Sequence, residues 1–332
     1  MSRLDSTRVV AVVLRHWTVV ALLILVVVFG IIAPGFLTQS NWIATSTYAT
    51  GILALALAQT LVIVSGGIDL SVGGNVAVTG MSSALVMRSL SQGGSPDTVA
   101  IAGGIAVGLL TGLAVGLLNG LCITRLRLAP FIVTLGMLGV TQGTTNLLND
   151  GQQVSEIPQQ FASTGSAQIG SWVPVLVAIS LGLTLVIGLL LARTRFGVRT
   201  YAIGSNKEGT RRVGVNVDRH LVGVYALAGV LAAAGGLMTL SRFGVAQTTA
   251  GTGAELLSIA AVVIGGASLY GGSGTIFGTL IGVAVISVLV TGLVLAGLQP
   301  FWQTVVTGLV IIGAVYLDQL RDRVQALTAQ RT

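Results

Sequence analysis

Charge is what this sequence has least of. Only 8% of its 332 residues are Asp, Glu, Lys or Arg, and lysine occurs once, at Lys207. With 53% hydrophobic residues and a mean hydropathy of +0.92, that scarcity excludes an ordinary soluble domain. Cysteine also occurs once, at Cys122, which excludes an intrachain disulfide and any cysteine metal cluster. The two histidines, His16 and His220, stand far apart at the borders of apolar runs, so no metal site is expected. No G-x-x-x-x-G-K-S/T pattern occurs, and Lys207 follows Asn206 rather than glycine, so the chain has no P-loop of its own. No set of residues reads as catalytic, and no cofactor is expected.

What the sequence has instead is long apolar runs. A helix needs about 20 mostly apolar residues to cross a hydrocarbon core of about 30 Å. Ten candidates meet or approach that length, at 17–33, 43–64, 72–90, 99–123, 130–148, 172–192, 221–241, 255–270, 275–297 and 301–317. The runs at 72–90, 130–148 and 255–270 are short, glycine-rich or polar, and need neighbouring helices to shield them. Barrel strands are excluded, because the runs are about twice strand length and lack period-two alternation. Arg3, Arg8 and Arg15 precede the first run as in a secretory signal. That run is long and ends in Ala33-Pro34-Gly35 without a small-x-small cleavage pattern, so it reads as an uncleaved span. The fold class is therefore all-α: one polytopic transmembrane domain over 1–332 with about ten spans.

The basic residues orient these spans. With the N-terminus in the cytoplasm, the cytoplasmic segments are 1–16, 65–71, 124–129, 193–220, 271–274 and 318–332. They hold fifteen of the seventeen Lys and Arg residues; only Arg88 and Arg242 fall outside. The positive-inside bias thus places both termini in the cytoplasm. It also accounts for the net charge of +7 without nucleic acid as a partner. The longest outer segment, 149–171, carries Asp150 and Glu156 and no Lys or Arg. It reads either as a connector or as a contact for a soluble extracytoplasmic partner.

Glycine marks both packing and interruption. Gly104, Gly108, Gly112, Gly116 and Gly120 recur every four residues, on one helix face, forming a smooth ridge for close helix approach. Gly274, Gly278 and Gly282 repeat the spacing later. Two breaks interrupt the apolar pattern, Ser65-Gly66-Gly67-Ile68-Asp69-Leu70-Ser71-Val72-Gly73-Gly74 and Gly265-Gly266-Ala267-Ser268-Leu269-Tyr270-Gly271-Gly272, and they hint at a weak internal repeat. Asp69 is the only acid between 17 and 96. A carboxylate at mid-bilayer costs about 2.5–3.5 kcal/mol on insertion scales, so it belongs in a turn, a cavity or a pair. It can cap the third span through the N–H groups near Ser71 and Val72, and it can line a transport path beside a broken helix.

The segment 193–220 gathers seven Lys and Arg residues, more than orientation requires. Within it, Ser205 and Glu208 have capping-box spacing, which predicts a short polar helix through Arg211 and Arg212 that stops at Gly214. Such a helix between two spans suits docking of a soluble partner.

Together these blocks resemble the permease subunits of bacterial ABC sugar importers of the ribose type, over about 30–318. The resemblance is carried by the break Ser65–Gly73, by Gly204-Ser205-Asn206 through Gly214-Val215-Asn216-Val217, and by Ala246-Gln247 through Thr249–Glu255. It continues in Ile259–Gly266 and Gly278–Gly282. One departure is Leu257, where such permeases often have an acid. The resemblance implies a chain in the bacterial inner membrane, a cytoplasmic ABC ATPase that binds ATP and Mg2+, a periplasmic sugar-binding protein, and a second permease copy or paralogue. It also implies that 193–220 is the coupling loop, with Ser205, Asn206, Glu208, Arg211, Arg212, Gly214 and Asn216 at the ATPase.

Few ionisable residues suit a proton or sodium relay; only Asp69 and the border residue Glu255 qualify. A gradient-driven secondary transporter or a passive channel remains the alternative. In either case a translocation path needs hydrogen-bonding side chains. The candidates are Gln59, Asn75, Asn119, Gln142, Asn146, Ser258 and Gln303, all of which can instead bond helix to helix. Strong selectivity is expected in the binding protein rather than along the path.

Overall fold

Apolar periodicity without charge gives helices, and helices dominate. The computed structural model describes residues 17–299 and part of 301–316. Twelve helices are delimited among the described residues: α1 (Trp17–Ile32), α2 (Gln39–Val64), α3 (Ser71–Gln92), α4 (Asp97–Arg125), α5 (Pro130–Leu148), α6 (Gln159–Thr164), α7 (Val175–Arg193), α8 (Arg195–Ser205), α9 (Lys207–Arg212), α10 (Val217–Phe243), α11 (Ala254–Ile264) and α12 (Ile276–Leu295). A hairpin of two short antiparallel strands, β1 (Gln168–Ile169) and β2 (Val173–Pro174), precedes α7. Six helices, α2, α4, α5, α7, α10 and α12, are long and apolar enough to cross a membrane.

Helix α2 is the centre. Every residue from Ile52 to Val64 is buried, as expected for a helix that is apolar on all sides. Around it stand α10, α12, α11 and α7, while α3 and α4 flank α10. Large apolar side chains on α1, α4, α5 and α7, such as Ile31, Leu110, Ile132 and Leu185, point outward from the bundle. In a bilayer, lipid replaces water at such faces, so helix association rests on shape and van der Waals fit.

Two ends of the bundle can be told apart. At one, the turns at 65–67, 124–130 and 271–274 gather around α8 and α9. At the other, the 149–171 segment bonds to the chain after α10: Val154 and Ala246 exchange backbone hydrogen bonds of 3.0 and 2.8 Å, and Ser241 Oγ donates to Phe161 O at 2.8 Å. Among the described residues, the segments 65–71, 124–129, 193–220 and 271–274 thus share one end.

The sequence reading of 255–270 as a continuous span needs correction. Helix α11 has eleven residues, about 16 Å at 1.5 Å per residue, or half of a membrane core. It stops at the Gly265-Gly266 turn, where Gly266 has φ +88°. The first half of this passage, 245–253, is irregular, and Gly251 lies against Gly73 and Val76 of α3. Irregular backbone at such depth is tolerated where it is buried in protein or lines a cavity.

Candidate functional site

The glycine ridge of α4 has a defined partner. Side chains at Gly112, Gly116 and Gly120 would run into Gly229 and Ala233, into Tyr225 and Ala226, and into Val222, so α10 lies antiparallel along the ridge. Gly104 faces Met87 and Ser83 of α3, and Gly108 lies between Leu237 and Ser83. The approach is reciprocal, because a side chain at Gly229 would strike Gly112 and Gly116.

At the first break, Gly66 in the left-handed conformation (φ +85°) ends α2, and Gly67 N–H returns to Val62 O at 3.0 Å. Asp69 then caps α3. Its Oδ1 accepts from Ser71 N at 2.8 Å and from Ser71 Oγ at 2.6 Å. Asn119 Nδ2 of α4 donates to Ser71 Oγ at 2.8 Å, Gln59 Nε2 of α2 to Asp69 O, and Thr134 Oγ1 of α5 to Ile68 O at 3.2 Å. Four helices are therefore tied to this one turn. Gly73 makes room for Glu255.

This geometry separates the proposed path residues. Gln59, Asn75 and Asn119 are at most 1% exposed, and Asn75 Nδ2 donates to Gly229 O at 3.2 Å. All three bond between elements, although Gln59 Oε1, Asn75 Oδ1 and Asn119 Oδ1 meet no hydrogen-bond partner among the described residues. Ser258 bonds within α11, to Glu255 O at 2.8 Å. Gln142 and Asn146 lie elsewhere, on the outward side of α5. Gln303 lies outside the described residues. The six described members thus lie on five helices, four of them buried and two on α5.

The basic segment contains two helices, not one. Thr194 Oγ1 caps α8, accepting from Phe196 N at 3.1 Å. Because α8 runs through Ser205, the cap of α9 falls on Asn206, whose Oδ1 accepts from Gly209 N at 2.7 Å. Ser205 is therefore not the N-cap, and Glu208 does not close a capping box. Glu208 instead pairs with Arg211 at 3.0 Å, and Arg211 reaches Asp218 of α10 at 2.9 Å. The hydrogen bond and charge of Asp218, joined by those of Glu208, hold the Arg211 guanidinium more firmly protonated than usual. Gly214 (φ +85°) stops α9, and Asn216 Oδ1 caps α10 through Arg219 N at 2.9 Å. Arg212 makes no ion pair among the described residues, and Val213 is 79% exposed at the tip.

The end of α8 rests on both glycine breaks. A side chain at Gly204 would collide with Val64 O and Gly272 N, and one at Gly271 with Gly66. Gly272 N donates to Val64 O at 2.9 Å, and Tyr201 Oη to Gly274 O at 2.7 Å. The weak sequence repeat thus marks two turns that meet. Beside them a cleft of about 610 Å³ opens between Arg127, Lys207, Arg211 and Tyr225.

Two further surfaces are left unfilled. On α5, a Cβ at Gly136, Gly139 or Gly143 would meet nothing within 4 Å. Toward the opposite end of the bundle from α8 and α9, a cleft of about 210 Å³ runs between α2, α10, the irregular 251–253 stretch and the start of α11. Sequence reasoning missed it, although Arg242, which lines it, was one of two basic residues on the unfavoured side.

A many-helix bundle with glycine-broken spans and an exposed basic helix pair is the form of a membrane permease. The chain matches the family described as "Branched-chain amino acid transport system / permease component" over residues 40–315, and it belongs to that family. It is a transport subunit of the cytoplasmic membrane, not an enzyme. The ribose import permease RbsC of Bacillus subtilis is 42% identical over 305 residues, 91% of each chain. The D-allose permease AlsC of Escherichia coli is 34% identical over 308 residues, covering 92% of each. The galactose/methyl galactoside permease MglC of Haemophilus influenzae is 32% identical over 319 residues, 90% of this chain and 93% of its own. No solved structure matches.

Proposed function

We propose that this chain is the permease subunit of an ABC importer for a sugar or sugar-like solute. The relatives named for ribose, allose and galactose cover nine-tenths or more of the chain, which favours a sugar over the branched-chain amino acid of the family description. A periplasmic binding protein delivers the solute to the end that carries 149–171. A cytoplasmic ATPase, which binds ATP and Mg2+, docks on 193–220. The chain crosses about ten times with both termini in the cytoplasm and works beside a second copy or a paralogue.

One observation carries the coupling role: Gly204 at the end of α8 lies against the turns that close α2 and follow α11. A displacement of α8 and α9 by ATPase closure therefore presses on both breaks. Contact with the ATPase falls to Arg212, Val213 and the exposed part of α9, whereas Arg211 braces α9 to α10.

The test follows from that division. Arg212→Glu with Val213→Asp leaves the Arg211 brace intact and is expected to abolish ATPase co-purification and ATP-driven sugar uptake. Unchanged uptake would reduce the segment to an orientation signal. Accumulation of leucine rather than a sugar by the assembled transporter would shift the substrate class. Sodium- or proton-driven accumulation by the chain alone would overturn the ABC reading.

A further inference from the structure

Arg88 and Arg242 are the two basic residues on the side that the charge bias disfavours. Arg88 is accounted for, since its Nη2 donates to Asn149 Oδ1 at 3.3 Å. Arg242 is not. It is partly buried near the end of α10, and neither a carboxylate nor a hydrogen-bond acceptor meets it among the described residues. Its partners there are aromatic: its Cζ lies 5.5 Å from the Tyr48 ring centroid and 5.1 Å from that of Phe243. Cation–π attraction holds the plane of a guanidinium but leaves its in-plane N–H donors unused. Unused donors in a partly dry site are costly unless something accepts from them.

The surroundings supply the other half of a recognition chemistry. Arg242 and Tyr48 line the 210 Å³ cleft with Thr47, Thr239 and Thr252. Each of these threonines spends its hydroxyl proton on a backbone carbonyl, at Ile43, Gly235 and Thr249, all at 2.8 Å. Their oxygens keep lone pairs and can only accept. The cleft therefore sets guanidinium donors, threonine acceptors and an aromatic ring among the apolar side chains of Ile52, Leu55, Val76, Met238 and Leu257. A solute that bears many hydroxyls, each both donor and acceptor, satisfies the donors and the acceptors alike. Beside the cleft runs the irregular stretch at 251–253 leading into the half-helix α11, the kind of backbone that lines a cavity at membrane depth.

We propose that Arg242, Tyr48, Thr47, Thr239 and Thr252 form a weak receiving site for a hydroxyl-rich solute on the outer half of the translocation path. The inference rests on the sugar-importer reading and locates where the solute first touches the permease. The volume suits a monosaccharide, and a site with one charged donor suits brief occupancy.

The test exploits the single native cysteine. In a Cys122→Ser background, Ala254→Cys, at a lining position outside the five proposed site residues, places a thiol beside the cleft, and its rate of modification by a small methanethiosulfonate reagent is followed in the full transporter in proteoliposomes. ATP-driven uptake of D-ribose, D-allose, D-fructose and D-galactose is measured first, and the carried sugar is the probe. That sugar at millimolar concentration is expected to slow labelling several-fold. The protection should be lost with Arg242→Gln and partly kept with Arg242→Lys. Equal protection in the Arg242→Gln variant, or none with the arginine present, overturns the site. A weaker hold on the binding protein in Arg242→Gln with protection intact overturns it in favour of a protein contact. A transporter that carries none of the four sugars fails at the uptake step and overturns the functional reading, independently of the labelling.

Discussion

Helices α4 and α5 follow each other in the chain, and both carry glycines at close helical spacing, yet their glycines have opposite surroundings. On α4, Gly112, Gly116 and Gly120 lie against the backbone of α10, and Gly104 and Gly108 against α3 and α10. On α5, Gly136, Gly139 and Gly143 face open space. Spacing alone sets which residues share a face; it does not say whether that face is filled. The difference arises from what stands opposite. Helix α10 brings Gly229 to meet Gly112 and Gly116, so both backbones contribute to the approach. The neighbours of α5 meet its other side, where Thr134, Thr141 and Thr145 are buried.

The comparison is broken most severely by Gly116→Leu. No side chain can bend away, because the atoms in its path are the backbone of Tyr225 and Ala226. Overpacking costs about 1–3 kcal/mol where side chains can shift; against fixed backbone the expected result is loss of folded protein. Monodispersity on size exclusion after detergent extraction reads this, and a well-folded Gly116→Leu would show that α10 is not seated on the ridge.

Gly112→Ala is a smaller perturbation with two opposed terms. Alanine gains about 1 kcal/mol of helix propensity over glycine. It also forces its methyl against Gly229 O and Ala233, an overpacking of about 1–3 kcal/mol. The net expectation is a modest loss, seen as a lower melting temperature with the fold retained. A rise in melting temperature would mean that the two helices part easily.

The α4 ridge was legible in the sequence because a period of four needs no tertiary information. The breaks at 65–74 and 265–272 were legible for the same reason, since Gly66 and Gly266 mark left-handed turns. Other features were not. A continuous apolar run at 255–270 hid the half-helix, because the irregular 245–253 stretch is held by tertiary contact of Gly251 with α3. The cap of α9 was misplaced by one residue because Ser205 and Glu208 have the spacing of a capping box. That pattern could not reveal that α8, begun by Thr194, would run through Ser205. Of the described path residues read from polarity alone, Gln59 and Asn119 bond at the Asp69 turn, Asn75 bonds to α10, Ser258 bonds within α11, and Gln142 and Asn146 lie on α5. Polarity does not distinguish a bond between helices from one awaiting solute. Arg242 did leave a trace, as an exception to the charge bias, but its lack of an acceptor among the described residues is visible only in three dimensions.

Gly139→Ala sharpens the comparison with the smallest effect and the opposite sign. Nothing within 4 Å obstructs a methyl group at Gly139, so the packing penalty that burdens Gly112→Ala is missing. The propensity gain of up to about 1 kcal/mol remains. The isolated permease should therefore melt at the same temperature or slightly higher, as followed by thermal unfolding in detergent. The same substitution can then be measured in the assembled transporter. If it is neutral there too, this face of α5 meets only lipid. If it destabilises the assembly while sparing the isolated chain, another helix comes as close to Gly139 as α10 comes to Gly112, and the two glycine stripes differ only in whether the partner is in the same chain.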